Sequence, residues 1–174
     1  MRIIAGTHKG RRIEPPHNLD VRPTTDKAKE ALLNIINSRY FFIKKNMLDL
    51  FSGTGNIGFE FASRGVEEVI AVDDNRHCID FIKKTANKFE LNISTIQSDG
   101  LKYAENCKEQ FNFIFADPPY NYKKYEILKE VIISKKLIKK NGLLIIEHDK
   151  DTIFNDRNVE VRRYGTVHFS IFSF

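Results

Sequence analysis

The chain has 174 residues, 41% of them hydrophobic, which suits one domain with a sizeable core and excludes a disordered chain. No apolar run is long enough to span a bilayer, and Met1-Arg2-Ile3-Ile4 lacks the pattern of a signal peptide, so a cytoplasmic protein with no membrane partner is expected. The net charge of +5 is lopsided: residues 1–45 hold ten Lys/Arg against four acids, whereas the rest of the chain stands at −1.

The first 45 residues show no parallel-sheet pattern. Arg2–Ala5 and Arg11–Glu14 read as two short strands, joined by Gly6-Thr7-His8-Lys9-Gly10 as a flexible connector and stopped by Pro15-Pro16. Thr24 or Thr25 caps a helix running to about Arg39, with Ala28, Ala31, Leu32, Ile35 and Ile36 at helical spacing. The positive charge of this stretch suits a polyanion through phosphate neutralisation, with a merely solvated basic face as the alternative.

From about Asn46 strand and helix alternate. Strands are expected at Met47–Phe51, Glu68–Val72, Ile93–Gln97, Phe111–Ala116 and Gly142–Glu147. Helices are expected near Ile57–Ser63, over Arg76–Phe89 and over Tyr125–Leu137. Nearly continuous apolar runs suit strands buried on both faces of a parallel sheet. Val159–Arg163 and Thr166–Phe172 alternate instead around Tyr164-Gly165, as an antiparallel hairpin does, and this turn reads as a hairpin tip rather than part of a crevice rim.

Two motifs carry chemistry. Asp49-Leu50-Phe51-Ser52-Gly53-Thr54-Gly55-Asn56-Ile57-Gly58 follows a strand and opens a helix, so Gly53 and Gly55 permit a tight turn and close approach of a ligand. Asp49 at the strand end favours a cationic ligand, and S-adenosylmethionine carries a sulfonium and an ammonium. Asp73 and Asp74 follow the second strand, where an acid accepts ribose hydroxyls. Asp73 is the better placed, and the choice between the two stays open. Asp99, after the third strand, suits the adenine amino group. Phe51 and Gly100 complete the candidate cofactor contacts. The glycine pattern alone is weak, and a ligand-free strand–helix turn is its plain alternative. Acids at successive strand ends favour the ligand.

The second motif, Asp117-Pro118-Pro119-Tyr120, follows the fourth strand. An ordinary proline-rich turn explains it in isolation. Its position suggests more. The amine of a nucleobase is a poor nucleophile because its lone pair is delocalised, and two acceptors that each take one N–H help it towards tetrahedral geometry. Asp117 offers the carboxylate, Pro118 the carbonyl, and the prolines add no competing N–H. Tyr120 offers a ring on which an extruded base stacks.

Other residues are not promoted. His8, His17, His77, His148 and His168 have no spacing for a metal or a nucleophile relay and read as surface or turn residues. No metal site is expected. Cys78 and Cys107 read as ordinary reduced thiols, and Lys135-Lys136 with Lys139-Lys140 as charges at a helix end.

Taken together, Arg2-Ile3-Ile4-Ala5-Gly6, Lys9-Gly10-Arg11, Arg22-Pro23-Thr24-Thr25-Asp26, Asp49–Gly58, Ser63-Arg64-Gly65 and Asp117–Tyr120 resemble the RsmD family, the 16S ribosomal RNA (guanine-N2)-methyltransferases. The resemblance covers nearly the whole chain. It implies an α/β, class I Rossmann-like methyltransferase fold with a mostly parallel seven-stranded sheet and a C-terminal antiparallel hairpin. Residues 1–45 would form an RNA-binding hairpin and helix extension, and 46–174 the methyltransferase domain. It further implies S-adenosylmethionine as donor, with one guanine of 16S rRNA, in an assembled or nearly assembled small subunit, as substrate. Arg2, Lys9, Arg11, Arg12, Arg22 and Thr24 become candidate RNA contacts, with no obligate protein partner evident. Arg22 pairing with Asp26 at the helix entry is the plainer reading of that arginine. Two departures from the family pattern are the Asp73-Asp74 pair where Glu is usual and Leu33 where Phe is common.

Rivals remain. N6-adenine methylation also uses Asp-Pro-Pro-Tyr, but the chain between Gly58 and Asp117 has no room for a target-recognition insert. A nicotinamide enzyme would need a different glycine spacing, and Asp49 would face its pyrophosphate badly. An RNA-binding assembly factor without activity would not need an intact Asp117–Tyr120.

Overall fold

The apolar runs become the centre of a sheet. The computed structural model describes residues 1–16, 25–119 and 121–174. In chain order it has α1 (Asp26–Arg39), β1 (Asn46–Leu50), α2 (Asn56–Ser63), β2 (Glu68–Asp73), α3 (Arg76–Lys88) and β3 (Ile93–Gln97). Then follow α4 (Gly100–Asn106), β4 (Phe111–Ala116), α5 (Tyr125–Ser134), β5 (Ile138–His148), β6 (Glu160–Tyr164) and β7 (Val167–Ser173). The sheet order is β3-β2-β1-β4-β5-β7-β6. The first five are parallel, and β7 runs antiparallel between β5 and β6. This is the class I methyltransferase architecture, with the hairpin closing the sheet.

The order has a physical consequence. After β1 the chain steps to β2 and β3 on one side; β4 then pairs on the other side of β1. The connections leaving β1 and β4 therefore part, and a crevice opens at the carboxyl ends of those strands. The central strands have two buried faces. Met47, Phe113, Phe115, Leu143, Ile145 and Phe169 pack with Leu32, Leu33 and Ile36 of α1 and Phe61 of α2. Leu48, Ile114, Leu144 and Ile146 pack on the other face with Leu128 and Ile132 of α5. Leu33 is fully buried.

Several expectations are corrected. The two N-terminal strands reduce to a single bridge, Arg2 with Arg12, flanked by Ile3 N donating to Arg11 O at 3.0 Å and Ile13 N to Met1 O at 3.0 Å. The connector at residues 6–10 is tied down rather than free. Thr7 N donates to Ser63 O at 2.8 Å and His8 N to Ser63 Oγ at 3.0 Å. Gly6, at φ +85°, lies so close that a Cβ would stand 1.9 Å from Ser63 O. Among Thr24 and Thr25, the cap is Thr25, whose hydroxyl accepts from Ala28 N at 3.2 Å. Thr24 lies outside the described residues, as do His17 and Arg22.

The helix expected to reach Leu137 ends at Ser134, because Lys136 turns to φ +55°. Strand β5 begins at Ile138, not Gly142, so Lys139 and Lys140 lie in a strand rather than at a helix end. Lys139 Nζ donates to Asn46 Oδ1 at 3.0 Å. Helix α4 was not anticipated; Asp99 caps it, accepting from Lys102 N at 2.8 Å. Cys78 and Cys107 are free thiols.

A buried ionic cluster joins the N-terminal segment to the core. Glu60, fully buried on α2, accepts from Ile4 N at 2.8 Å, Ala5 N at 3.0 Å and Arg64 Nε at 3.1 Å. Lys29 of α1, also buried, lies 3.5 Å from Glu60 and donates to Arg2 O at 2.7 Å and Asn56 Oδ1 at 2.8 Å. Burial pulls the Lys29 ammonium down from its ordinary pKa, against the pull of Glu60 and Asp26.

Candidate active site

The crevice at the strand ends encloses about 570 Å³. Its floor follows from strand alternation. On the α1 side of the sheet, Met47 and Phe115 belong to the core, and the next residues on that face towards the carboxyl ends are Asp49 and Asp117. Leu143 and Ile145 lead in the same way to Glu147. Three carboxylates thus replace hydrocarbon at the mouth of one apolar face, and all three line the crevice.

The glycine loop rises beside them. Ser52 N donates to Val72 O at 3.0 Å, Gly55 N to Ser52 O at 2.7 Å, and Gly55 at φ +75° starts α2 in a left-handed conformation. Asp73 accepts from Gly53 N at 2.7 Å and Asn75 N at 2.9 Å, so it also ties the loop to the end of β2. Asp49 accepts from Gly58 N at 3.0 Å.

Of the candidate cofactor residues, Asp49, Phe51, Gly53, Asp73, Asp74 and Asp99 line the crevice. Gly55 and Gly100 do not. Gly55 packs on Ile82, and Gly100 sits under the Phe51 ring, where a Cβ would come within 2.6 Å. Asp117, Pro118 and Pro119 line it opposite the loop, and Asp117 N donates to Leu50 O at 3.2 Å. Tyr120 lies outside the described residues.

Sequence reasoning passed over Tyr122, Tyr125, Glu147 and His148, all on the crevice wall. His148 is the clearest correction. Read as a surface or turn residue, it is buried, with Nε2 2.8 Å from Ser170 Oγ and Nδ1 2.7 Å from Asp149 O. Its strand position, one residue past Glu147, was the only available signal. Burial lowers its pKa. Thr166 and Val167, just after the hairpin turn, also reach the wall.

Burial pushes the Asp49 carboxyl up to about 7, against the Gly58 N–H and helped by Asp73. Asp73 is raised too, by burial first, with the Asn75 and Gly53 N–H groups opposing. Asp117 is held well above the usual carboxylate range by burial, then by Glu147 and Asp49. Such a group of acids cannot ionise together without a nearby cation.

This has a sign. Below about pH 4 both folded and unfolded carboxyls hold their protons, and between about 4 and 7 only the folded Asp49 does. Ligand-free stability therefore falls as pH rises through that window, by up to about 1.4 kcal/mol per pH unit for each such carboxyl. Denaturant titrations from pH 4.5 to 7.5 should show this slope, and Asp49→Asn should flatten it. A stability that rises across the window in both proteins would contradict it.

The donor set fits a cationic nucleoside. Acids at three strand ends suit a sulfonium, an ammonium and ribose hydroxyls. Ser52 Oγ and Tyr122 Oη, on the crevice wall, are buried with no hydrogen-bond partner among the described residues, as groups reserved for a polar ligand are.

The candidate RNA residues lie elsewhere. Arg2, Lys9, Arg11 and Arg12 are exposed on the N-terminal segment, outside the crevice. Arg11 stacks 5.0 Å from the Phe89 ring centroid, and Arg12 borders a groove against α3.

The class is set by this fold and crevice together with known relatives: an S-adenosylmethionine-dependent methyltransferase. A family model described as conserved hypothetical protein 95 matches residues 1–173, and the chain belongs to that family, the RsmD family. Among relatives, "Putative rRNA methyltransferase YlbH" of Bacillus subtilis is 35% identical over 87% of this chain and 84% of its own. "Ribosomal RNA small subunit methyltransferase D" of Escherichia coli K12 is 29% identical over 92% of this chain and 76% of its own. The solved structure "Putative methyltransferase yhhF from Escherichia coli" superposes with TM-score 0.86 at 22% identity, covering 99% of this chain and 97% of that one. Among the described residues, no helix is long and apolar enough to cross a membrane.

Proposed function

We propose that the protein methylates the exocyclic N2 of one guanine in small-subunit ribosomal RNA, in the cytoplasm. The observation that carries this is the Asp117-Pro118-Pro119 turn, placed across one crevice from the glycine loop and its acids. The names of the relatives support ribosomal RNA as the substrate. When bound, S-adenosylmethionine supplies an electrophilic methyl, whose bond to sulfur breaks, with the pair staying on sulfur, as the N2 lone pair forms the new bond.

The chain's own residues orient and discharge. Asp117 accepts one N2–H and Pro118 O the other, which turns the nitrogen lone pair towards the methyl; Asp117 or solvent takes the surplus proton. Asp49 meets the positive charge of the donor, and Asp73 the ribose. Asp99 faces the adenine end, beside Phe51. The exposed Arg2, Lys9, Arg11 and Arg12, with Arg22 and Thr24, grip the phosphates.

Two measurements address these roles. Asp73→Ala should raise the calorimetric Kd for S-adenosylmethionine by about tenfold or more, because it loses both a ribose partner and the tether of Gly53. Asp74→Ala should change it less; the reverse ranking would move the ribose to Asp74. Arg11→Glu with Arg12→Glu should weaken RNA binding and reduce the slope of log affinity against log salt by about 2. An unchanged slope would remove this face from the RNA contact. The reaction itself is tested by mass mapping of ribosomal RNA from a strain lacking the gene: a single methyl should disappear, from N2 of a guanine.

A further inference from the structure

The residue beside Asp117 across the sheet is Glu147. Ala116 of β4 pairs with Ile146 of β5, so Asp117 and Glu147 stand at the same register on neighbouring parallel strands. Neighbouring strands lie about 4.8 Å apart. Both residues continue the same sheet face, after Phe113-Phe115 and Leu143-Ile145 respectively, and both line the crevice. Glu147 is buried, at 8% exposure, on the side of Asp117 away from Asp49 and the glycine loop. Nothing in methyl transfer to an isolated amine needs it.

The Watson–Crick edge of guanine offers two adjacent donors, N2–H and N1–H. Adenine offers one donor, N6–H, beside a bare N1 lone pair. A pair of neighbouring carboxyl acceptors matches the first pattern and opposes the second.

We propose that Glu147 selects guanine: its carboxylate accepts N1–H of the base whose N2 amine is held by Asp117. This rests on the guanine-N2 reading above and gives that reading its base specificity. A site built around an N–H of its substrate rejects an analogue lacking that hydrogen, because a buried acceptor then meets a lone pair in place of a donor. With N1 deprotonated, lone pair faces carboxylate and the rejection grows. The upward push of Glu147 on the Asp117 carboxyl, second to burial, agrees with their closeness.

The test uses 2-aminopurine, which keeps the exocyclic 2-amine and replaces N1–H by a lone pair. Small subunits are reconstituted on ribosomal RNA carrying guanine or 2-aminopurine at the position located by mass mapping, and kcat and KM are measured separately. The wild-type protein should prefer guanine by about 10²-fold or more in kcat/KM. Glu147→Gln can present either its oxygen or its N–H₂ to N1, so its preference should fall to about tenfold or less, with the Kd for S-adenosylmethionine within about twofold. Binding of the two RNAs, measured without the donor, should follow the same order in the wild type and converge in the variant. Equal use of both bases by the wild-type protein would overturn the proposal even if the variant did not fold. A Glu147→Gln protein that folds and keeps the full preference would also overturn it, while leaving guanine-N2 methylation standing. Mass mapping that finds no methyl on a guanine N2 would overturn both.

Discussion

Asp117→Ala is expected to lower turnover by about 10³-fold while leaving the Kd for S-adenosylmethionine within about fivefold. The size follows from two losses at one atom: orientation of a delocalised amine, and the electrostatic partner for the charge that develops on it. The separation from binding follows from place. Asp117 lies beyond β1 from Asp73 and Asp99, across the crevice from the glycine loop. The side chain also holds a proton more tightly than an ordinary carboxyl, because it is buried beside Glu147 and Asp49. Activity in the wild-type protein should therefore rise with pH until Asp117 is ionised in the complex, and the residual activity of the alanine variant should lack that rise. Single-turnover methyl transfer across pH measures both. Unchanged turnover in the variant would remove Asp117 from the chemistry.

The second large effect is on stability. Glu60→Ala should cost about 3–5 kcal/mol, read as a lower denaturant midpoint. Glu60 is buried between Lys29 and Arg64 and accepts from two backbone N–H groups of the N-terminal segment. Its removal strands two cations and two donors away from water. Hydrogen exchange at Ile4 and Ala5 should accelerate beyond the global change, because those amides lose their acceptor. A loss below 1 kcal/mol would mean that water replaces the carboxylate and that the cluster is not a fastening.

The central parallel strands were legible because they are buried on both faces: Phe111–Ala116 falls where the sequence placed it, as does the more polar edge strand Ile93–Gln97. The crevice acids were legible for a related reason. A carboxylate directly after an apolar run, as Asp117 after Ala116, has no structural use in a core. What escaped depends on distant partners. His148 is buried where β7 runs alongside β5, with Ser170 Oγ meeting its ring and Phe154 packed on it. Nothing local to α1 marks Lys29 as buried, because the carboxylate that faces it, Glu60, stands 31 positions on. The bridge at Arg2 and Arg12 is short because the residues that follow, Ile4 and Ala5, donate to Glu60 of α2 instead of to the other arm, which no local pattern announces. Helix α4 is only seven residues, too brief for its periodicity to stand out.

The insertion of β7 between β5 and β6 has a bearing on how the chain is made. When β5 leaves the ribosome, its edge residues Leu143-Leu144-Ile145-Ile146 have β4 on one side and nothing on the other until Val167–Ser173 follow. At ~5–20 residues per second, that interval is on the order of seconds. An apolar edge of this kind templates pairing with another chain. The dangerous moment in the life of this protein therefore comes late in synthesis, and slow translation across residues 149–166 should lower soluble yield more than slow translation earlier in the chain.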